Sequence, residues 1–286
     1  KEDTSALKRS ASGMRNVSAA QLEETKKSFG VTHFTYLYPM IIHGSDIPDL
    51  TGTANQRLSL MAARGPGNGM IPIPFQIDEF DRNGLIWIKG YNSAKPAGKP
   101  GIWDGLDQLV FMYRDAGQKR YDPAHDGAVA GRIVKEIELT SPRNAPRWVY
   151  LMEDNPERSD ADYVTTNLGK GEVDTTLYTL KYTPGSLIDI QSISPNAGPR
   201  AGSNVFDGLH VHLSTGILSQ HLRVNLDSSN IHVSPIAVKE GPIRNIMPNF
   251  GNINISPWVV VILIQIVVHP LLGKLYAAIT FGTWQP

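Results

Sequence analysis

The sequence contains no cysteine, which excludes disulfide bridges, cysteine-ligated zinc and a thiol nucleophile. It has no excess of charge either. The 27 basic residues offset the 27 acidic ones, so no net field draws the chain towards nucleic acid, which is not expected as a partner. A Gly-x-Ser-x-Gly elbow is missing, which leaves a serine nucleophile without its usual setting. The glycine-rich stretch from Arg64 to Gly69 lacks the Lys-Ser/Thr ending of a phosphate loop, which argues against nucleotide cofactors. Internal repeats of fixed period are lacking, and helical periodicity is scarce. A cysteine-free chain of this kind fits an exported bacterial protein held together by its core. The opening KEDTSALKRS, without Met or an apolar segment, adds the expectation that a signal peptide has been removed and that the protein works on the periplasmic or extracytoplasmic side.

What is present is a series of short apolar runs rich in β-branched and aromatic residues, separated by turn residues. With 286 residues and 41% hydrophobic content, the chain can bury one large β domain or two smaller ones. Ser18 as N-cap, Gln21 three residues on and Gly30 as a stop predict a short helix in a polar N-terminal segment, 1–30. Strands are predicted over Thr32–Ile42, over Gln56–Ala63 with Leu58, Leu60 and Ala62 on one face, and over Gly131–Leu139 and Arg147–Met152. Further strands are expected over Tyr163–Asn167, Thr175–Thr183 and Ser186–Ile193. This spacing predicts a mainly β fold, an antiparallel β-sandwich over 31–244. A linker over 245–256 would follow, and then an anchor over 257–286. There Trp258–Val268 (WVVVILIQIVV) is almost unbroken apolar sequence, and 257–282 carries Lys274 as its single formal charge, long enough for a transmembrane helix. The competing reading is two buried strands, Trp258–Val268 and Lys274–Phe281, parted by a turn at His269–Gly273.

The densest chemistry lies between Ile71 and Gly117. Asp81-Arg82-Asn83-Gly84 separates two apolar runs and predicts a hairpin with Gly84 at positive φ. Six carboxylates cluster around it: Asp78, Glu79, Asp81, Asp104, Asp107 and Asp115. Asp78, Glu79 and Asp81 offer oxygen ligands to a hard cation such as calcium, although the spacing is not that of an EF-hand. The alternative is that these acids cap turns or pair with Arg82 and Arg114. Two of them across a cleft would also suit glycoside chemistry.

A second constellation is DGLHVHLSTGILSQHLRVNLDSSNIHVSP. Residues two apart on a strand share a face, so His210 and His212 go together, and His221 and His232 sit in similar alternations. If the three segments pair in sequence, four imidazoles reach one face and would suit copper or zinc. The plain alternative is a polar strand face. Trp87, Trp103, Tyr113, Trp148 and Tyr150 could form a platform for stacking a glycan, or fill the core.

Three blocks, IPIPFQIDEFDRNG, GLDQLVFMYRDAG and VKEGPIRNI, resemble an exported bacterial family with Pro-Phe-Gln-Ile-Asp-Glu, Asp-Glu-Leu-Val-Phe-Met and Gly-Pro-Val-Arg segments. Gln108 stands where that pattern has Glu. The likeness runs from about Tyr36 to Arg244 and implies an envelope protein without assigning it a reaction. The Gly-Pro-Ile-Arg element is also similar to one in β-sandwich polysaccharide lyases. Three functions are therefore expected in competition. The first is a non-catalytic accessory or scaffolding subunit that meets other membrane or envelope protein subunits. The second is a carbohydrate-active protein with a glycan ligand, and the third is a metal-binding domain.

Overall fold

The computed structural model describes residues 18–63, 69–90, 95–141, 144–208, 211–217, 220–226, 231–235, 237–247 and 249–253. The fold is mainly β, with all paired strands antiparallel. The predicted helix is present as α1 (Ala19–Ser28), stopped by Gly30 at φ +65°.

Two sheets hold the main core. The first contains β1 (Pro39–His43), β4 (Phe75–Asp78) and β5 (Gln108–Met112) in the order β1-β5-β4. The second contains β2 (Leu58–Ala63), β3 (Met70–Pro72), β6 (Arg132–Ser141) and β7 (Asn144–Glu153) in the order β3-β2-β7-β6. Leu58, Leu60 and Ala62 do share a face, and they meet Val149, Leu151, Leu109, Phe111 and Trp103 in one apolar cluster that draws on both sheets. Burying a side chain of this size contributes about 1.5–3 kcal/mol, so this shared cluster is the main source of cohesion between the sheets. Ser59, Met61 and Ala63 on the other face of β2 are buried as well, because Met61 packs with Met70, Tyr150 and Met152.

The remaining strands are local. β8 (Val164–Asn167), β9 (Glu172–Thr175), β10 (Tyr178–Thr183) and β11 (Ser186–Pro195) form an antiparallel sheet in the order β11-β10-β9-β8, four strands where the sequence predicts three. β12 (Val211–Ile217) pairs with β13 (Gln220–Leu226), and β14 (Ile231–Pro235) with β15 (Asn249–Ile253). β15 thus occupies part of the stretch expected as a linker.

The structure departs from the expected strands in several places. Thr175–Thr183 is divided between the last residue of β9 and the whole of β10. Thr32–Ile42 is not one strand: Phe34–Leu37 is a 3₁₀ turn because the His33 Nδ1 atom accepts the Thr35 N–H at 3.1 Å, and the strand begins only at Pro39. Proline at the first residue of a strand costs no ladder bond. The second apolar run after Asp81–Gly84 forms no named strand, since Phe80 bridges Ile86 alone and β4 pairs with β5 instead. The turn itself is as expected. Gly84 has φ +77°, its N–H reaches Asp81 O at 3.1 Å, and the Asp81 N–H reaches Leu85 O at 2.8 Å, a type I turn closed by a glycine bulge. Among the described residues no helix is long and apolar enough to cross a membrane. The segment 257–286, where a spanning helix is expected, lies outside them.

Candidate functional site

The three sequence blocks converge in space. Phe75 and Ile77 of β4 face the shared core, so alternation turns Gln76 and Asp78 to the opposite face of the sheet, where both are buried. That face is covered by a narrow hairpin held by the Lys239 and Ile246 backbone groups, which exchange bonds of 2.8 and 2.9 Å, with Gly241-Pro242-Ile243-Arg244 inside it. Ile243 packs on Val110 and Met112 of β5. Gln76 Oε1 accepts the N–H groups of Ile243 (3.0 Å) and Arg244 (2.8 Å). Gly241 is required there: a Cβ would lie 2.4 Å from Gln76 Oε1.

Asp78 is the centre. Its side chain has no solvent exposure, and Lys239 Nζ donates to Oδ1 at 2.7 Å. Arg244 contacts Oδ2 through Nε at 2.8 Å and Nη2 at 2.7 Å, while Gln76 Nε2 lies 3.0 Å from both oxygens. Arg244 Nη2 also donates to Gln108 Oε1 at 3.0 Å. Gln108 is therefore a neutral acceptor at the rim of this centre, and Asp78 is the anion that both cations share. A buried carboxylate needs such company, because desolvation alone would cost several kcal/mol.

The other acids serve separate local purposes. Asp81 accepts the N–H groups of Asn83 (2.8 Å) and Leu85 (3.0 Å) within its turn. Glu79 accepts the Gly101 N–H at 2.5 Å, Asp104 the Leu106 N–H at 2.8 Å, and Asp115 the Tyr163 hydroxyl at 2.8 and 2.9 Å. Asp78, Glu79 and Asp81, offered above as a calcium set, are thus drawn to different partners. Among the described residues no group of three or more such side chains is placed to hold a metal ion. The cations that pair with Asp78 are not the Arg82 and Arg114 expected from sequence proximity but Lys239 and Arg244, about 160 residues on.

Asp107 differs from these. It is 2% exposed, and burial pushes its carboxyl up to about 7, with the charges of Asp104 and Glu79 adding to the rise and the Asp104 N–H and Lys239 opposing it. The Asp104 N–H donates to its Oδ2 at 2.9 Å, and the Asp107 carbonyl accepts the Gly44 N–H at 2.7 Å. The Asp104–Asp107 loop is pressed so closely on Gly44 that a Cβ there would sit 1.9 Å from Asp104 O.

The histidine segments pair differently from the expected order. His210 lies outside the described residues. His212 stands opposite Asn225 and His221 opposite Gly216, which separates them by four residues, about 13 Å, along the β12–β13 ladder. His232 is on β14, whose partner is β15 rather than β13, and it stands opposite Asn252. Of the aromatic set, Trp103, Tyr113 and Tyr150 are buried, while Trp87 and Trp148 are partly exposed. No protein family, curated protein or solved structure matches the chain.

Proposed function

We propose that this chain is a non-catalytic cell-envelope protein, an accessory or scaffolding subunit whose β-sandwich body meets other envelope proteins. The observation that carries this reading is the Asp78 centre. The three blocks that set the sequence apart come together there, and their polar groups satisfy one another: carboxylate on cations, amide oxygen on backbone N–H groups. Such a centre clamps segment 239–246 onto the first sheet and leaves no free acid or base aimed at a substrate. Tyr38, just before β1, and Ile41, on β1 at the sheet edge, are exposed at 56% and 40%, apolar surface of the type that partner subunits cover. The test is cross-linking in intact cells followed by fractionation. Recovery with the envelope, cross-linked to defined protein partners and released by Ile41→Lys, is the expected result; a chain found uncross-linked in the soluble cytoplasmic fraction overturns the reading.

One observation favours a carbohydrate-active alternative. Asp107, with its carboxyl near 7 and the carboxyl groups of Glu79 and Asp104 close by, has the character of a general acid. If that reading is right, the purified chain cleaves an acidic or neutral polysaccharide and Asp107→Asn abolishes the cleavage. Unchanged product release by the variant removes Asp107 from the chemistry.

A further inference from the structure

A cleft of about 500 Å³ opens where the end of β2, the turn after β5 and the start of β7 meet. Its side chains are Arg114, Gln118, Lys119 and Arg147, with Ala63, Ala116 and Gly117 completing the wall. Three of these carry positive charge, and among the described residues no carboxylate lines the cleft. Among the described residues, Lys119 is the one of the three with a counter-ion. It pairs with Asp126, whose buried carboxyl it holds below the usual carboxylate range.

Arg147 is the unusual member. It is 9% exposed, yet among the described residues no carboxylate lies within salt-bridge distance of it or of Arg114. Its Nη1 donates to Ala116 O at 2.6 Å and to Arg114 O at 3.3 Å, and its guanidinium lies 4.6 Å from the Tyr36 ring centre and 5.7 Å from that of Tyr113. Carbonyls and rings therefore hold one edge and one face of a planar fork, and the rest of the fork is available to the cleft that it lines. A nearly buried guanidinium normally meets an anion, because its charge is poorly solvated otherwise. The floor is rigid. Gly117 is bonded both ways to Trp148 (2.8 and 3.0 Å), and a Cβ on Gly117 would lie 2.5 Å from Ala63 O, so the backbones of β2, this turn and β7 approach so closely only with glycine there.

We propose that this cleft binds a small organic oxyanion, a carboxylate or phosphate ester of up to hexose size, gripped by the Arg147 fork together with Arg114 and hydrogen-bonded by Gln118. The volume is within the range of small-molecule sites, and a preset guanidinium fork matches the paired oxygens of both groups. This proposal does not rest on the envelope reading.

The test is calorimetric titration of the full chain with glucuronate, glucose 6-phosphate and glucose, at low and at physiological salt. Saturable binding of one or both anions, weakened by salt and not shown by glucose, is expected; whichever anion binds more tightly identifies carboxylate or phosphate as the recognised group. Arg114→Gln, at a partly exposed position, should weaken that binding about ten-fold or more while leaving the unfolding midpoint unchanged. Arg147→Lys should weaken it further, since an ammonium keeps the charge and loses the fork. No saturable binding of either anion at 10 mM, glucose binding as well as the anions do, or unaltered affinity in Arg114→Gln would each overturn the proposal.

Discussion

The Asp78 centre and the Arg147 cleft are two solutions to the same problem, a charged side chain placed where water is scarce. Asp78 is closed on all sides by Lys239, Arg244 and Gln76. Arg147 is supported by neutral carbonyls and aromatic rings and has no carboxylate partner among the described residues. The first arrangement fastens the 239–246 hairpin to a sheet and contributes order. The second leaves charge unmatched in a cleft and so provides a reason for an outside anion to bind. Burial of charge alone does not mark a site; the presence or absence of an internal counter-ion separates a clamp from a receptor.

The largest expected effect breaks the clamp. Asp78→Ala leaves two cations facing a buried cavity and should cost about 3–5 kcal/mol in urea unfolding, whereas the triple change Asp78→Leu, Lys239→Met and Arg244→Met should cost much less, because no charge is left unpaired. If the single and triple variants lose the same stability, the centre is not an electrostatic unit.

Next comes Asp107, a buried acid whose Oδ2 accepts the Asp104 N–H. Its folded pKa, about 7, is above the ordinary value of 3.8, so its contribution to stability is complete below about pH 4 and is lost as the pH rises through 7. Asp107→Asn retains an acceptor for the Asp104 N–H and does not ionise. The variant should match the parent near pH 4 and exceed it by about 2–4 kcal/mol at pH 8. A constant difference across this range would show that Asp107 titrates normally.

A smaller effect is expected at the turn that precedes the acidic loop. A Cβ added at Gly84 meets no atom within 4 Å, so the loss in Gly84→Val should be mainly backbone strain, about 1–2 kcal/mol in thermal or urea unfolding. Gly84→Asn should lose less than Val, since Asn tolerates this conformation, and equal losses would point to another cause.

The smallest effect sharpens the contrast from the side of the cleft. Arg114→Gln should change stability by no more than about 0.5 kcal/mol, because no internal ion pair is broken. Denaturant unfolding of the two proteins side by side checks this; a loss comparable to Asp78→Ala would make the cleft a second clamp.

The amino-acid sequence by itself determined the local features. Alternation marked the core face of β2, the Asn-Gly pair marked the turn at Gly84, the apolar runs marked β8, β10 and β11 but not β9, and α1 was delimited by Ser18 and Gly30. Even Arg147 carried a local signal, since it shares the parity of Val149 and Leu151 and so falls on the inward face of an apolar strand. Only the tertiary structure decided which charges meet. The cationic partners of Asp78 lie 161 and 166 residues away, and no periodicity of 2 or 3.6 residues encodes a contact over that distance. Strand pairing was decided in the same way. β4 prefers β5 over the neighbouring run across the turn, and β14 prefers β15 over β13, because a strand's choice of partner depends on which edge and which apolar face are left open once the other sheets have formed.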